Sequence, residues 1–177
     1  TGRGRLHPAE RGQEVDAAAT ATRERGAERV ALAYAAAGLS FASACVHGSV
    51  MVTHFREYFL FGLFFAIVTP VQIAWAVLVS RRPTDRNLLI AGGAFNLGIA
   101  LVWLVSRTVG LPFGPEQFQA ETIAIKDLLS TWDELLIGII VAVLVLRSGP
   151  RPGPRWLPGL AWTLAAVSLV AALIAKG

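Results

Sequence analysis

The chain has 177 residues, 54% of them hydrophobic and 16% charged, with a mean hydropathy of +0.56. A soluble domain of this length breaks its apolar residues into periodic stripes, whereas here they come in long runs with the charges between them, so lipid is the expected solvent. The net charge of +4 falls on arginines in tails and short loops beside those runs, a pattern of topology determinants and headgroup contacts that excludes a nucleic-acid footprint, and the single cysteine, Cys45, excludes an intrachain disulfide or a cysteine zinc cluster.

Residues 1–29 are a polar tail of Arg, Glu, Ala and Gly with almost no apolar stripe. That composition predicts disorder unless a partner subunit holds the segment. Residues 30–177 read as an all-α integral membrane bundle with transmembrane helices at about 30–53, 58–80, 88–107, 128–146 and 157–175. Each run is close to the ~20 residues that cross a ~30 Å hydrocarbon core, and a backbone in lipid must satisfy its own hydrogen bonds as a helix. Arg23, Arg25 and Arg29 precede the first run, and Ala42-Ser43-Ala44-Cys45 faintly resembles a lipoprotein cleavage site. The apolar run continues past the cysteine, so a retained span is expected. Pro70 should kink the second span, with Thr69 placed to help the freed carbonyls. Gly62 with Ala66 and Ala94 with Gly98 put small residues at four-residue spacing, which favours close helix approach.

Lys and Arg alternate between the connecting segments. The tail holds Arg3, Arg5, Arg11, Arg23, Arg25 and Arg29, the second loop Arg81, Arg82 and Arg86, and the fourth Arg147, Arg151 and Arg155. The other side has only Arg56, Arg107, Lys126 and Lys176, a bias of 12 against 4. The positive-inside rule therefore places the N-terminus in the cytoplasm and the C-terminus outside, in a multi-pass protein. Trp132 and Trp156 fall where aromatic belts at the two membrane faces would lie.

With that orientation the chemically versatile residues collect on the outer side. His47 and His54 are seven apart, about 20° from alignment on a helix, and Glu57 follows three later. Asp127, Thr131 and Glu134 share a face of the fourth span, and Asn96, Trp103 and Arg107 share one of the third. Intramembrane ionisable groups face the bundle interior, pair, or work. One reading is a metal centre of His47, His54, Glu57 and Glu134, whose imidazoles and carboxylates suit zinc, copper or iron, or a site for a small polar ligand. The other is an interfacial ion-pair network joining Arg107 to Glu134 or Glu121, with Asp127 nearby. The run Arg107-Thr108-Val109-Gly110-Leu111-Pro112-Phe113-Gly114-Pro115 specifies a turn-rich loop, either a cap over that site or a plain connector. Gln72 and Asn96 each lie about 12 Å from the inner ends of their spans, at 1.5 Å per residue, and are expected to hydrogen-bond to each other.

His54-Phe55-x-Glu57, Gly62 with Phe64-Phe65, Gln72, Asn96, the Arg107–Pro115 run, Glu121, Asp127 and Glu134 together resemble a group of small bacterial polytopic membrane proteins, over roughly residues 44–146. The resemblance implies a multi-pass protein of the bacterial cytoplasmic (inner) membrane and no activity. The residues carry no HExxH, CxxC, EF-hand or nucleophile-elbow motif. The expected function is therefore an outer-face site for a metal ion or small polar ligand, serving a redox or metal-handling system. The alternatives are an accessory subunit of a larger complex, with partner subunits or further copies of the chain beside the lipid bilayer, and a small oligomeric transporter.

Overall fold

The structure is a computed structural model that describes residues 8–147 and 156–174. Its elements are α1 (Pro8–Glu57), α2 (Phe59–Arg81), α3 (Arg86–Thr108), α4 (Ile125–Leu146) and α5 (Leu157–Ile174). All five are long and apolar enough to cross a membrane. Of the charges used for orientation, Arg3, Arg5, Arg151, Arg155 and Lys176 lie outside the described residues, as does the last residue of the fifth expected span.

The first departure from the sequence reading is the tail. From Pro8 onward it is helical and runs without interruption into the first span, making α1 50 residues long, or about 75 Å. Disorder is therefore not what residues 8–29 adopt. Alanine, arginine and glutamate are strong helix formers, and proline is tolerated in the first turn. Continuity with a packed span also removes the cost of nucleating a separate helix.

α1 is the hub, packing on α2, α4 and α5. Its middle is buried on several faces, through Leu32, Ala33, Ala35, Ala36, Leu39, Ala42 and Ala44. An alanine-rich helix is thin enough for three neighbours to approach at once. Opposite these alanines, α4 supplies Ile137 and Ile140 and α5 supplies Ala161 and Ala165. Gly38 receives the ring of Trp162, and a Cβ there would lie 2.6 Å from it.

α2 and α3 meet closely only near the turn that joins them. The Trp75 indole sits against Gly92, where a Cβ would lie 1.8 Å from its Nε1, and donates to the Leu88 carbonyl at 2.8 Å. Gly93 takes Val141 of α4 in the same way. These glycines take the role expected of Ala94 and Gly98. Ala94 is exposed and Gly98 has open space around it, because that face of α3 points out of the bundle. Gly62 is buried as expected, but against Phe55 of α1. Pro70 lies inside an α2 that continues on both sides of it, and the Thr69 hydroxyl, expected to help there, makes no hydrogen bond.

Candidate functional site

Gln72 and Asn96 hydrogen-bond as expected, with Gln72 Nε2 donating to Asn96 Oδ1 at 2.9 Å. Asn96 Nδ2 donates in turn to the Gly92 carbonyl at 2.8 Å. The pair is not isolated helix–helix glue. Gln72 Nε2 also lies 3.2 Å from Ser43 Oγ and 3.5 Å from Glu134 Oε1. His47 Nε2 lies 2.8 Å from the same Glu134 oxygen, and Ser43 Oγ donates to it at 3.2 Å. Residues of α1 and α2 therefore converge on one carboxylate oxygen of α4, in a cluster where Ser43, Gln72 and Asn96 are 0% exposed, Glu134 1% and His47 5%. Such partners are what a carboxylate at this depth requires, since an unpaired one in a low-dielectric interior is among the costliest groups to bury.

Toward the α3–α4 loop, His54 continues the same face of α1. Its Nδ1 is 2.7 Å from Glu57 Oε2, and its ring stacks on Phe65 at 4.6 Å. Phe65 also contacts the His47 ring at 5.2 Å, so an aromatic side chain bridges the two imidazoles. The four expected metal ligands are thus divided into a buried His47–Glu134 pair and a more exposed His54–Glu57 pair. Among the described residues, no group of three or more His, Cys, Asp or Glu is placed to hold a metal ion.

Arg107 lies in the last turn of α3 with its guanidinium paired to Glu121 of the loop and to Asp127 Oδ2 at 2.6 Å. The expected partner Glu121 is correct, whereas Glu134 is turned to His47 instead. Asp127 also ties down the start of α4, because the Ala124 backbone N–H donates to its carboxylate at 3.3 Å. Lys126 reaches Ser49 of α1 at 3.0 Å. The loop itself is held by Glu121 N–H to the Ser106 carbonyl and Phe118 N–H to the Leu111 carbonyl, at 3.0 and 2.9 Å. Gly110 and Gly114 adopt φ of +75° and +107°, a region that side chains disfavour, and at Gly114 a Cβ would also meet Phe61 at 2.7 Å.

These residues surround a cavity of about 330 Å³ between α1, α2, α3 and α4. Its walls are mainly apolar, from Phe61, Phe64, Phe65, Ile67, Ile99 and Val102, while His47, Glu134, Thr131, Arg107 and Asp127 supply polar edges. Leu111 and Phe113 come from the loop, giving it the role of a cap. A wider vestibule of about 800 Å³ lies beyond, lined by Glu57, Glu116, Lys126 and again Arg107, Glu121 and Asp127. Leu60, Leu63, Ile67 and Val102 line the cavity and are also exposed on the outside of the bundle, so its flank opens between α2 and α3. Two donors of cavity-lining residues lack a partner among the described residues: Trp103 Nε1 and Arg107 Nε.

Sequence reasoning placed Trp103 on the correct face without foreseeing its orphaned N–H. It missed Ser43, although the spacing of four to His47 was a usable signal. Asp133, adjacent to Glu134 but outside the expected site, is 0% exposed with both oxygens lacking a hydrogen-bond partner among the described residues, next to the equally buried Ser168 of α5. Cys45, in the middle of the first span, is half-buried. No family model matches the chain, and neither a curated protein nor a solved structure does.

Proposed function

We propose that the protein is a multi-pass membrane protein, oriented with α1's polar extension in the cytoplasm, whose outer-half cavity binds a small amphipathic molecule drawn from the membrane. The molecule would have an apolar body and a head bearing carbonyl or hydroxyl oxygens. The observation that carries this reading is one cavity with aromatic and aliphatic walls, an exposed apolar flank, and two unpartnered N–H donors beside a buried His47–Glu134 pair. Ligand sites commonly combine largely apolar walls with a few convergent polar groups. Buried donors without partners cost on the order of 1–3 kcal/mol each, a cost that an acceptor oxygen on a ligand removes. The apolar exteriors of the helices, such as Leu101, Ile139 and Leu173, support insertion in lipid.

The division of the imidazoles and carboxylates into separate pairs supports a polar ligand in preference to a metal ion. Quinones are one class of membrane molecule with the required body and head, which keeps a redox setting within the proposal. The test is to purify the protein in mild detergent, extract it with organic solvent and identify what co-purifies by mass spectrometry. An oxygen-headed amphiphile near one per chain, absent from Val102→Trp, which fills the cavity, is the expected result. Only bulk lipid, identical in both proteins, would sink the reading.

A second reading, an accessory subunit, draws on the largely exposed stretch of α1 between Gly12 and Glu28, a helical surface on which a partner could dock. Co-purification from native membranes with that stretch intact and deleted would separate the two.

A further inference from the structure

The opposite end of the bundle carries a second cavity, of about 290 Å³, with different chemistry. Arg29 of α1, Arg86 at the first position of α3 and Arg147 at the C-cap of α4 line it, together with Thr84 and an apolar wall that includes Leu89 and Leu144. Among the described residues, no acid lines it. Two acids adjoin it in sequence without lining it, Glu28 before Arg29 and Asp85 before Arg86, and the Asp85 carboxylate is engaged by the backbone N–H groups of Asn87 and Leu88, both at 3.1 Å.

Two features mark this as more than a set of surface charges. Arg29 is anchored: its Nη2 donates to the Leu144 carbonyl at 2.8 Å, so the guanidinium is fixed at the end of α4 with donors to spare. Arg86 stands in the wrong place for helix stability. The first turn of a helix carries partial positive charge and favours acids, yet α3 has no acidic residue in its first turn and begins with arginine. The Arg29 and Arg86 guanidiniums and the N-terminus of α3 therefore add their fields around one recess, which Arg147 borders.

We propose that this recess binds a phosphate group. The apolar wall favours a phosphate attached to an acyl chain, the headgroup of an anionic lipid, over free inorganic phosphate. Guanidinium matches phosphate in planar, bidentate geometry, and basic recesses between membrane helices on the cytoplasmic side are suited to such headgroups. The site is remote from His47 and Glu134, so its fate is independent of the ligand cavity.

The experiment uses the full chain in neutral detergent, with phosphatidylglycerol, phosphatidylcholine and inorganic phosphate as separate probes. Retained lipid is read by native mass spectrometry and protection by thermal unfolding at fixed ionic strength. Phosphatidylglycerol should bind more tightly than phosphatidylcholine. Arg86→Gln should weaken it about fivefold, the effect of one basic residue near an anionic headgroup. Arg82→Gln, outside the recess, should not. Arg29→Gln risks the fold by losing the Leu144 bond, but Arg86→Gln removes an exposed cation from a helix start and should leave unfolding unchanged or slightly raised. Protection by lipid alone assigns the phosphate to a headgroup, and protection by inorganic phosphate as well assigns a site for phosphate from either source. Equal binding of both lipids without phosphate protection overturns the proposal, as does equal weakening by Arg82→Gln and Arg86→Gln, which would reduce the site to diffuse surface attraction.

Discussion

Between α2 and α3, the stretch from Trp75 and Gly92 to Gln72 and Asn96 is closed, whereas from Ile67 and Ile99 onward the same two helices border a cavity. In the closed stretch a glycine admits an indole against the backbone, and each side-chain nitrogen has an acceptor: Trp75 gives to Leu88, Gln72 to Asn96, and Asn96 to Gly92. In the open stretch, bulky Phe64, Ile67, Ile99 and Val102 replace the glycines, and Trp103 has an indole N–H with no acceptor among the described residues. The same residue type, tryptophan, is satisfied where the helices touch and unsatisfied where they part. Side-chain volume along the seam thus separates a part that holds the bundle together from a part that borders the cavity.

Breaking the junction between the two stretches should have the largest effect. Glu134→Ala removes the oxygen on which Ser43, His47 and Gln72 converge, and each buried polar group left without its partner costs on the order of 1–3 kcal/mol. Thermal unfolding in detergent should fall sharply, and Glu134→Gln, which keeps an acceptor, should fall less. Next comes overpacking of the closed stretch. Gly92→Leu should cost about 1–3 kcal/mol, whereas Gly98→Leu, with open space around it, should be silent in the same unfolding assay. Equal effects at the two glycines would erase the distinction. Asn96→Leu should cost roughly 0.6–2 kcal/mol, the range for interhelical hydrogen bonds in membranes, and Asn96→Asp tests whether the closed stretch tolerates a charge. The smallest change in stability belongs to Trp103→Phe. It removes an unpartnered donor while keeping a ring, so unfolding should be unchanged or slightly raised, and the measurement that should move is ligand binding.

The helices were legible because their signal is long and one-dimensional: runs of apolar residues with arginines between them. The Gln72–Asn96 bond and the Arg107–Glu121 pair were legible for a related reason, since few polar groups at similar depth leave few partners to choose from. What stayed hidden depends on rotation about the helix axes. Ala94 and Gly98 have the spacing of a packing motif, but adjacent Gly92 and Gly93 face the neighbours, and only the tertiary arrangement decides between those faces. His47 and His54 were correctly placed on one face, yet Phe65 comes from another helix to bridge them, and no spacing within α1 reports that. The helical extension from Pro8 was missed because composition measures the absence of a core stripe and not the nucleation supplied by a packed helix downstream.

The most direct test of the central claim is a titration of the purified protein with a short-chain alkyl quinone, read as a shift in thermal unfolding, beside the corresponding alkane. The comparison uses the wild type, Trp103→Phe and Val102→Trp, the last filling the open stretch of the seam. Saturable stabilisation of the wild type by the quinone and not the alkane, weakened several-fold in Trp103→Phe and abolished in Val102→Trp, is what an oxygen-headed ligand in this cavity predicts. Equal responses to quinone and alkane, unaltered by filling the cavity, would contradict it.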